Sequence, residues 1–462
     1  MAYATINPYT GKTLKTFPDA TDAEVAQALD QAQAAFERWK TVGFAARTHV
    51  LRQTAKLLRA RSNEYAKILT MEMGKVLAEA EAEVELSAQI LEYYADNAEG
   101  LLAPDRLPSK HPSYTDCWVE HEAQGILLAI EPWNFPYYQI VRIAAPQLAA
   151  GNVIVLKHAS NVPQSAAAFQ ALFREAGLPD GGFTNLYANR DQIKAIIEDP
   201  RVQGVALTGS EGAGAVVASQ AGTALKKSTM ELGGADAFVV LADADIEKAA
   251  KWAVIGRHWN AGQVCCSSKR IIVLAEVYDA FLEKYKAGVA ELKAGDPLDP
   301  STSLAPLSSQ AAADELKAQV AKAVSHGAKV EIIGAAVPET GAFFQPVLLS
   351  MEEDNPAYRW EFFGPVSQVI RAKNEADAIR IANDSPFGLG GSVFTQDVKR
   401  GVEVAKKIST GMVYINHPTG VAADLPFGGV RRSGYGRELV GLGIKEFVNH
   451  KLIAVTDIDG AF

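Results

Sequence analysis

Five short apolar runs, at 126–130, 152–156, 202–207, 237–241 and 269–274, alternate with helical segments once the chain passes Gly125. Runs of this length, bounded by turn residues, read as strands covered on both faces, and strands so covered are paired in parallel through helical crossovers. The alternation therefore predicts an α/β fold built on βαβ units. Upstream the texture is different. Leu51, Ala55, Leu58, Tyr65 and Leu69 recur near the helical period up to Gly74, and a second helical pattern runs through Val84, Ala88 and Leu91. Both are expected as a packed outer layer.

A chain of 462 residues exceeds what one hydrophobic core usually supports, so two or three lobes are expected. Its formal charge of -9, with no run of lysine or arginine, argues against a nucleic-acid surface. No apolar stretch reaches the roughly 20 residues of a membrane span, and the opening residues lack the pattern of a signal peptide. Three cysteines, two of them adjacent, make a poor disulfide framework and fit a reducing cytoplasm. The segment 110–121 alternates polar and apolar residues like an exposed antiparallel ribbon.

Three short motifs carry the parts of acyl chemistry on a thiol. Cys265 and Cys266 follow Trp259-Asn260-Ala261-Gly262-Gln263-Val264, a small, glycine-bearing turn between a helical pattern and a strand. Free cysteine titrates near 8.5, so a nucleophile there needs its thiolate favoured; composition alone does not choose between the two. Glu231 precedes the pair Gly233-Gly234, which permits close backbone approach. Asn134 lies in Pro132-Trp133-Asn134-Phe135-Pro136, and prolines that restrict its backbone make its amide a fixed donor for a developing oxyanion. Such a donor is worth on the order of 3 kcal/mol of barrier. The segment Thr208-Gly209-Ser210-Glu211-Gly212-Ala213-Gly214 follows an apolar run and opens a helical pattern. A pyrophosphate site at a helix N-terminus and a plain strand-to-helix turn both fit it. No cluster reads as a metal site.

These motifs, with Val155-Leu156-Lys157, Glu361-Phe362-Phe363-Gly364-Pro365 and Pro426-Phe427-Gly428-Gly429, resemble the NAD(P)-dependent aldehyde dehydrogenase superfamily, most closely its succinate semialdehyde branch. The resemblance covers nearly the whole chain. It implies a Rossmann-type cofactor domain at 1–106 and 124–232, an α/β catalytic domain at 233–446, and a β oligomerisation arm at 107–123 and 447–462. Homodimers or homotetramers follow from the arm. It chooses Cys265 as nucleophile, makes Glu231 the general base that hydrolyses a thioester, and leaves Asn134 as the oxyanion donor. A cysteine thiohemiacetal would pass hydride to the nicotinamide and become that thioester. Trp133, Lys157, Ser160, Gly209, Ser210, Gly233, Glu361 and Phe363 are the implied cofactor contacts. Ser160 stands where members preferring NAD often carry a glutamate, so NADP is expected at least as readily as NAD. Arg142 matches the arginine of enzymes that grip the remote carboxylate of succinate semialdehyde, a task suited to a bidentate guanidinium. Some relatives carry a second arginine where this chain has Trp259. The alternatives are a dehydrogenase of glutamate semialdehyde, glutarate semialdehyde or an uncharged aliphatic aldehyde, a CoA-acylating enzyme, and a crystallin-like protein without activity. The acylating type usually lacks a base at the position of Glu231.

Overall fold

The five apolar runs do become strands, but they divide between two sheets. The structure, a computed structural model, describes residues 3–111 and 113–460. Met1, Ala2, Pro112, Ala461 and Phe462, which fall in the opening segment, the ribbon and the end of the arm, lie outside the described residues. One sheet of six strands runs Gly434–Tyr435, Lys227–Glu231, Val202–Thr208, Ile126–Glu131, Val153–His158, Phe183–Asn185. Ile126–Glu131 pairs in parallel with both neighbours, and Ile130 sits opposite Lys157 on one side and Leu207 on the other. Residues 131–134, Lys157 and residues 208–210 therefore all leave the same edge of the sheet, where open α/β sheets bind ligands.

The runs at 237–241 and 269–274 belong to a second sheet of seven strands, in which Ala237–Val240 and Arg270–Leu274 are parallel neighbours. An apolar run reports burial and not the identity of its partner, so the alternation alone does not say which runs share a sheet. The chain also returns late. Gly434–Tyr435 pairs antiparallel with Lys227–Glu231, setting Gly434 opposite Glu231, although residues 434–446 fall within the stretch assigned from sequence to the second lobe. Gly434 has φ 106°, and a side chain there would begin 1.8 Å from the Met230 carbonyl. Glycine is what admits this crossing.

The helical periodicity from Leu51 to Leu69 proves to be two helices, Phe44–Ala60 and Ser62–Met73, separated at Arg61. The apolar stripe continues across the break, which is why its period did not reveal it. Gly74, left-handed at φ 84°, closes the second with its N–H on Thr70. These helices and Leu77–Leu101 pack about Pro136–Ala150, whose residues are all buried. Tyr114–Ala123 forms an antiparallel ribbon with Val448–Thr456, flanked by Asp105–Arg106. Leu452 and Val455 on its last strand are 60% and 44% exposed. Among the described residues no helix is long and apolar enough to cross a membrane.

Candidate active site

The helix Ile246–His258 ends in a turn that the chain would not adopt unaided. Asn260, Ala261 and Gly262 are all left-handed, at φ 52°, 53° and 78°, a conformation costing about 1 kcal/mol or more for each residue with a side chain. The surroundings hold it there. The Asn260 N–H donates to both carboxylate oxygens of Glu79 at 3.1 and 3.2 Å, and its side-chain amide donates to the Asn134 carbonyl at 3.0 Å. A side chain at Gly262 would start 2.6 Å from the Gly364 carbonyl. Arg257, fully buried, donates to the carbonyls of Phe362, Gly364 and Val366 and to Ser267. Turn and the 361–364 loop are thus bolted together, and Cys265 emerges beside that loop.

Eight of the residues singled out from sequence, Trp133, Asn134, Gly209, Ser210, Gly233, Cys265, Glu361 and Phe363, line one cavity of about 330 Å³. The rings of Trp133 and Phe363 meet edge to face at 5.7 Å. Asn134 is 5% exposed; its amide N–H donates to the Gln263 carbonyl at 3.0 Å, and the Gln139 amide packs 2.8 Å from its oxygen, so the group cannot rotate freely. A second, tighter cavity of about 20 Å³ adjoins it, lined by Asn134, Tyr138, Arg142, Trp259, Cys265 and Cys266 among others. Cys265 and Asn134 belong to both.

The glycine pair serves a closer purpose than freedom of motion. A side chain on Gly233 would collide with the Glu361 carboxylate at 2.1 Å, and one on Gly234 with the Cys265 carbonyl at 2.6 Å. Glu361 accepts the Gly234 N–H at 3.0 Å. Glu231 does not line the large cavity. It is 2% exposed, and neither carboxylate oxygen has a hydrogen-bond partner among the described residues. Burial pushes its carboxyl up to about 8, opposed by the charge of Arg142 and aided by that of Cys265. A carboxyl tuned to that range can exchange protons near neutrality.

Cys265 and Cys266 are driven apart. Cys265 is lowered, first by a hydrogen bond from Cys266 and further by Lys269 and Arg142 against the opposing effect of burial. Cys266, 2% exposed, is raised well above the usual thiol range by that same bond and by burial. Cys265 thus has the thiolate character and the access that a nucleophile needs, whereas the buried, raised Cys266 does not.

Arg142 is 2% exposed and already engaged. Nη1 donates to Tyr138 at 3.2 Å and Nη2 to Thr208 at 2.7 Å, while Nε is paired with Glu438. Burial disfavours its charge, yet Tyr138, Glu231 and Glu131 hold its pKa above the ordinary value. Of five donors one N–H remains on each terminal nitrogen. Lys157 and Ser160 lie outside both cavities, half-buried at the end of Val153–His158, and the Ser160 carbonyl accepts the Ala4 N–H at 3.0 Å.

Whether a dinucleotide fits can be judged from the groups present. The 330 Å³ cavity opens at the carboxyl edge of the parallel sheet. It is floored by the N-terminus of Glu211–Thr223, whose cap Ser210 accepts the Ala213 N–H at 3.3 Å. Arg432 neutralises the first-turn Glu211. A helix N-terminus with its adjacent acid neutralised suits a pyrophosphate, and the residues fit the group.

A family model described as the aldehyde dehydrogenase family matches residues 1–453. The chain belongs to the aldehyde dehydrogenase family. Its curated relatives include a succinate-semialdehyde dehydrogenase [NADP(+)] of Deinococcus radiodurans, 47% identical over 98% of this chain and 94% of that one. Another, named succinate-semialdehyde dehydrogenase [NADP(+)] 1, is from Mycobacterium tuberculosis, 43% identical over 98% and 99%. The crystal structure of a succinic semialdehyde dehydrogenase from Streptococcus pyogenes with NADP+ superposes with a TM-score of 0.96 at 44% identity, covering 99% of this chain and all of that one. The two-sheet fold with its ribbon is therefore the aldehyde dehydrogenase fold.

Within this aldehyde dehydrogenase, charged residues beside the site that escaped the motifs include half-buried Glu79 and buried Glu131, Lys269 and Glu438. Glu131 is pushed up to about 8 by burial, with Arg142 opposing, and Glu438 is 6% exposed. Glu131 and Lys269 did leave a trace in the sequence. Each stands at the edge of an apolar run, and a charge buried there needs a partner. Glu79 lies on the exposed-looking face of a helical pattern, and its target Asn260 is far away in sequence, so no local signal existed.

Proposed function

We propose that this enzyme oxidises a short aldehyde bearing a terminal carboxylate, best succinate semialdehyde, to the acid with NADP+ as the preferred acceptor. The observation that carries the substrate class is Arg142, buried in the wall of the small cavity beside Cys265 with two N–H groups uncommitted. A carboxylate accepting both would complete the donor set of the guanidinium, with Glu131 and Glu231 held toward the neutral acid. The named activities of the full-length relatives agree.

The steps assigned to this chain's residues are these. Cys265 attacks the aldehyde carbon, and the resulting oxyanion is held by the Asn134 amide and the Cys265 backbone N–H. A bound nicotinamide cofactor supplies the hydride acceptor that turns the adduct into a thioester. Glu231, in its ionised form, takes the proton of the water that hydrolyses the thioester. Trp133, Gly209, Ser210, Gly233, Glu361 and Phe363 would bind the pyrophosphate and nicotinamide-ribose end. A base poised at Glu231 favours hydrolysis over transfer of the acyl group to CoA.

Substituting Arg142→Ala is expected to raise KM for succinate semialdehyde by about a hundredfold, the worth of a charge-assisted bidentate bond. KM for hexanal should change less than about threefold. Equal effects on the two aldehydes would remove the clamp.

For the cofactor, Ser160 and Lys157 would receive the 2′-phosphate, with the nearby charge of Arg190 adding to that of Lys157. Ser160→Glu would set a carboxylate against the phosphate, and its expected result is a fall of about a hundredfold in the kcat/KM ratio of NADP+ over NAD+. An unchanged ratio would move the phosphate site elsewhere. The ribbon of Tyr114–Ala123 and Val448–Thr456, with its exposed Leu452 and Val455, supports assembly as a homodimer or homotetramer. Three free cysteines support a cytoplasmic setting.

A further inference from the structure

Nucleophile, base and oxyanion donor leave the ammonium of Lys269 without a task. Lys269 is 3% exposed and immediately precedes the strand Arg270–Leu274. Its Nζ donates to the carbonyls of Val264 and Cys265, each at 2.7 Å. The same nitrogen pairs with Glu361 Oε1 at 2.9 Å, the oxygen that accepts the Gly234 N–H, and it lies 5.5 Å from the Phe363 ring centre. Withdrawing an ammonium from water costs several kcal/mol, and a fold with no use for it would carry an apolar residue at this place.

We propose that Lys269 is a positioning residue of the oxidation step: one buried ammonium fastens the main chain of the nucleophile to the carboxylate facing the cofactor cavity, registering sulfur and cofactor against each other. The assignment of that carboxylate to the nicotinamide ribose rests on the reading given under Proposed function. Carbonyl and carboxylate bonds from one nitrogen constrain each other, so a shift of Glu361 is felt at Cys265. The sulfur senses the same charges. Groups facing it are Cys266, Lys269, Arg142, Glu361, Glu231 and Tyr138; after the hydrogen bond from Cys266, Lys269 and Arg142 lower the thiol while burial and Glu361 raise it.

The test needs neither substrate nor cofactor. In the full-length protein, the rate of Cys265 alkylation by iodoacetamide is followed against pH by mass spectrometry of its peptide. Lys269→Met is expected to move the midpoint upward and to slow alkylation at pH 7 by about tenfold. Glu361→Gln should move the midpoint downward, and Lys269→Arg should return it toward the parent value. Opposed shifts distinguish this role from loosened packing, which would shift both variants in one direction. Cofactor-loaded Lys269→Met should also lose about tenfold or more in first-turnover rate, since small misplacements of reacting groups are costly, with KM for aldehyde nearly unchanged. A folded Lys269→Met with the parent midpoint overturns the proposal. If that variant fails to fold, Glu361→Gln decides: a parent midpoint there overturns it equally. Opposed shifts uphold the role of Lys269 even if no aldehyde is oxidised, whereas absent shifts overturn it in a chain that oxidises aldehydes well.

Discussion

Cys265→Ala is expected to abolish aldehyde-dependent NADPH formation, both the first turnover and the steady state, by roughly four orders of magnitude or more. The size follows from the division of labour between two adjacent thiols. Cys265 is lowered by its neighbour Cys266 and by the cations Lys269 and Arg142 and lines both cavities, whereas Cys266 is raised and buried. No neighbouring nucleophile can stand in for the lost sulfur. Stopped-flow absorbance of NADPH, with cofactor affinity measured alongside, checks the result. Residual turnover above about one part in a thousand would show that another group makes the covalent bond.

Glu231→Gln should produce a different signature, a first turnover within about threefold of the parent and a steady-state rate lower by about a hundredfold to a thousandfold. The separation is expected because the step proposed for Glu231, on water, follows the oxidation, while that proposed for Cys265 precedes it. Acyl-enzyme should accumulate and be trapped by denaturing mass spectrometry. The pH dependence carries a sign. Burial raises the Glu231 carboxyl to about 8, so below that pH it is mostly protonated and cannot accept a proton from water. Steady-state kcat should climb as pH rises and level off above about 8, where the carboxylate is formed. The first turnover should not share that rise, since the step proposed for Glu231 comes after it. A kcat that falls between pH 7 and 9 would contradict the assignment of Glu231 as base. A burst lost together with turnover would place Glu231 before the hydride step instead.

The same buried carboxyl shows what is held in reserve around Arg142. Glu131, Glu231 and Glu438 surround a single guanidinium, and both Glu131 and Glu231 are shifted up to about 8. Three acids sharing one cation in a dry pocket cannot all ionise cheaply. Beside the clamp role proposed for it, Arg142 limits how far Glu231 is pushed toward the neutral acid.

Local chemistry was legible in the residues themselves. The alternation of apolar runs with helical segments required an α/β fold, and a thiol in a glycine-bearing turn, a carboxylate before a glycine pair and an amide between prolines stood out as candidate reactive parts, because backbone restriction and side-chain type are properties of a few consecutive residues. What only the tertiary structure decided is pairing over distance. The chain alone does not say that 237–241 and 269–274 leave the first sheet, that Gly434 crosses back to lie against Glu231, or that Glu79 holds the left-handed Asn260 from a helix far upstream. Nor does it say that one lysine joins Cys265 to Glu361. A buried charge must find a partner, but which partner depends on how strands and helices close in space, and that information is spread over the whole fold rather than held in any short segment.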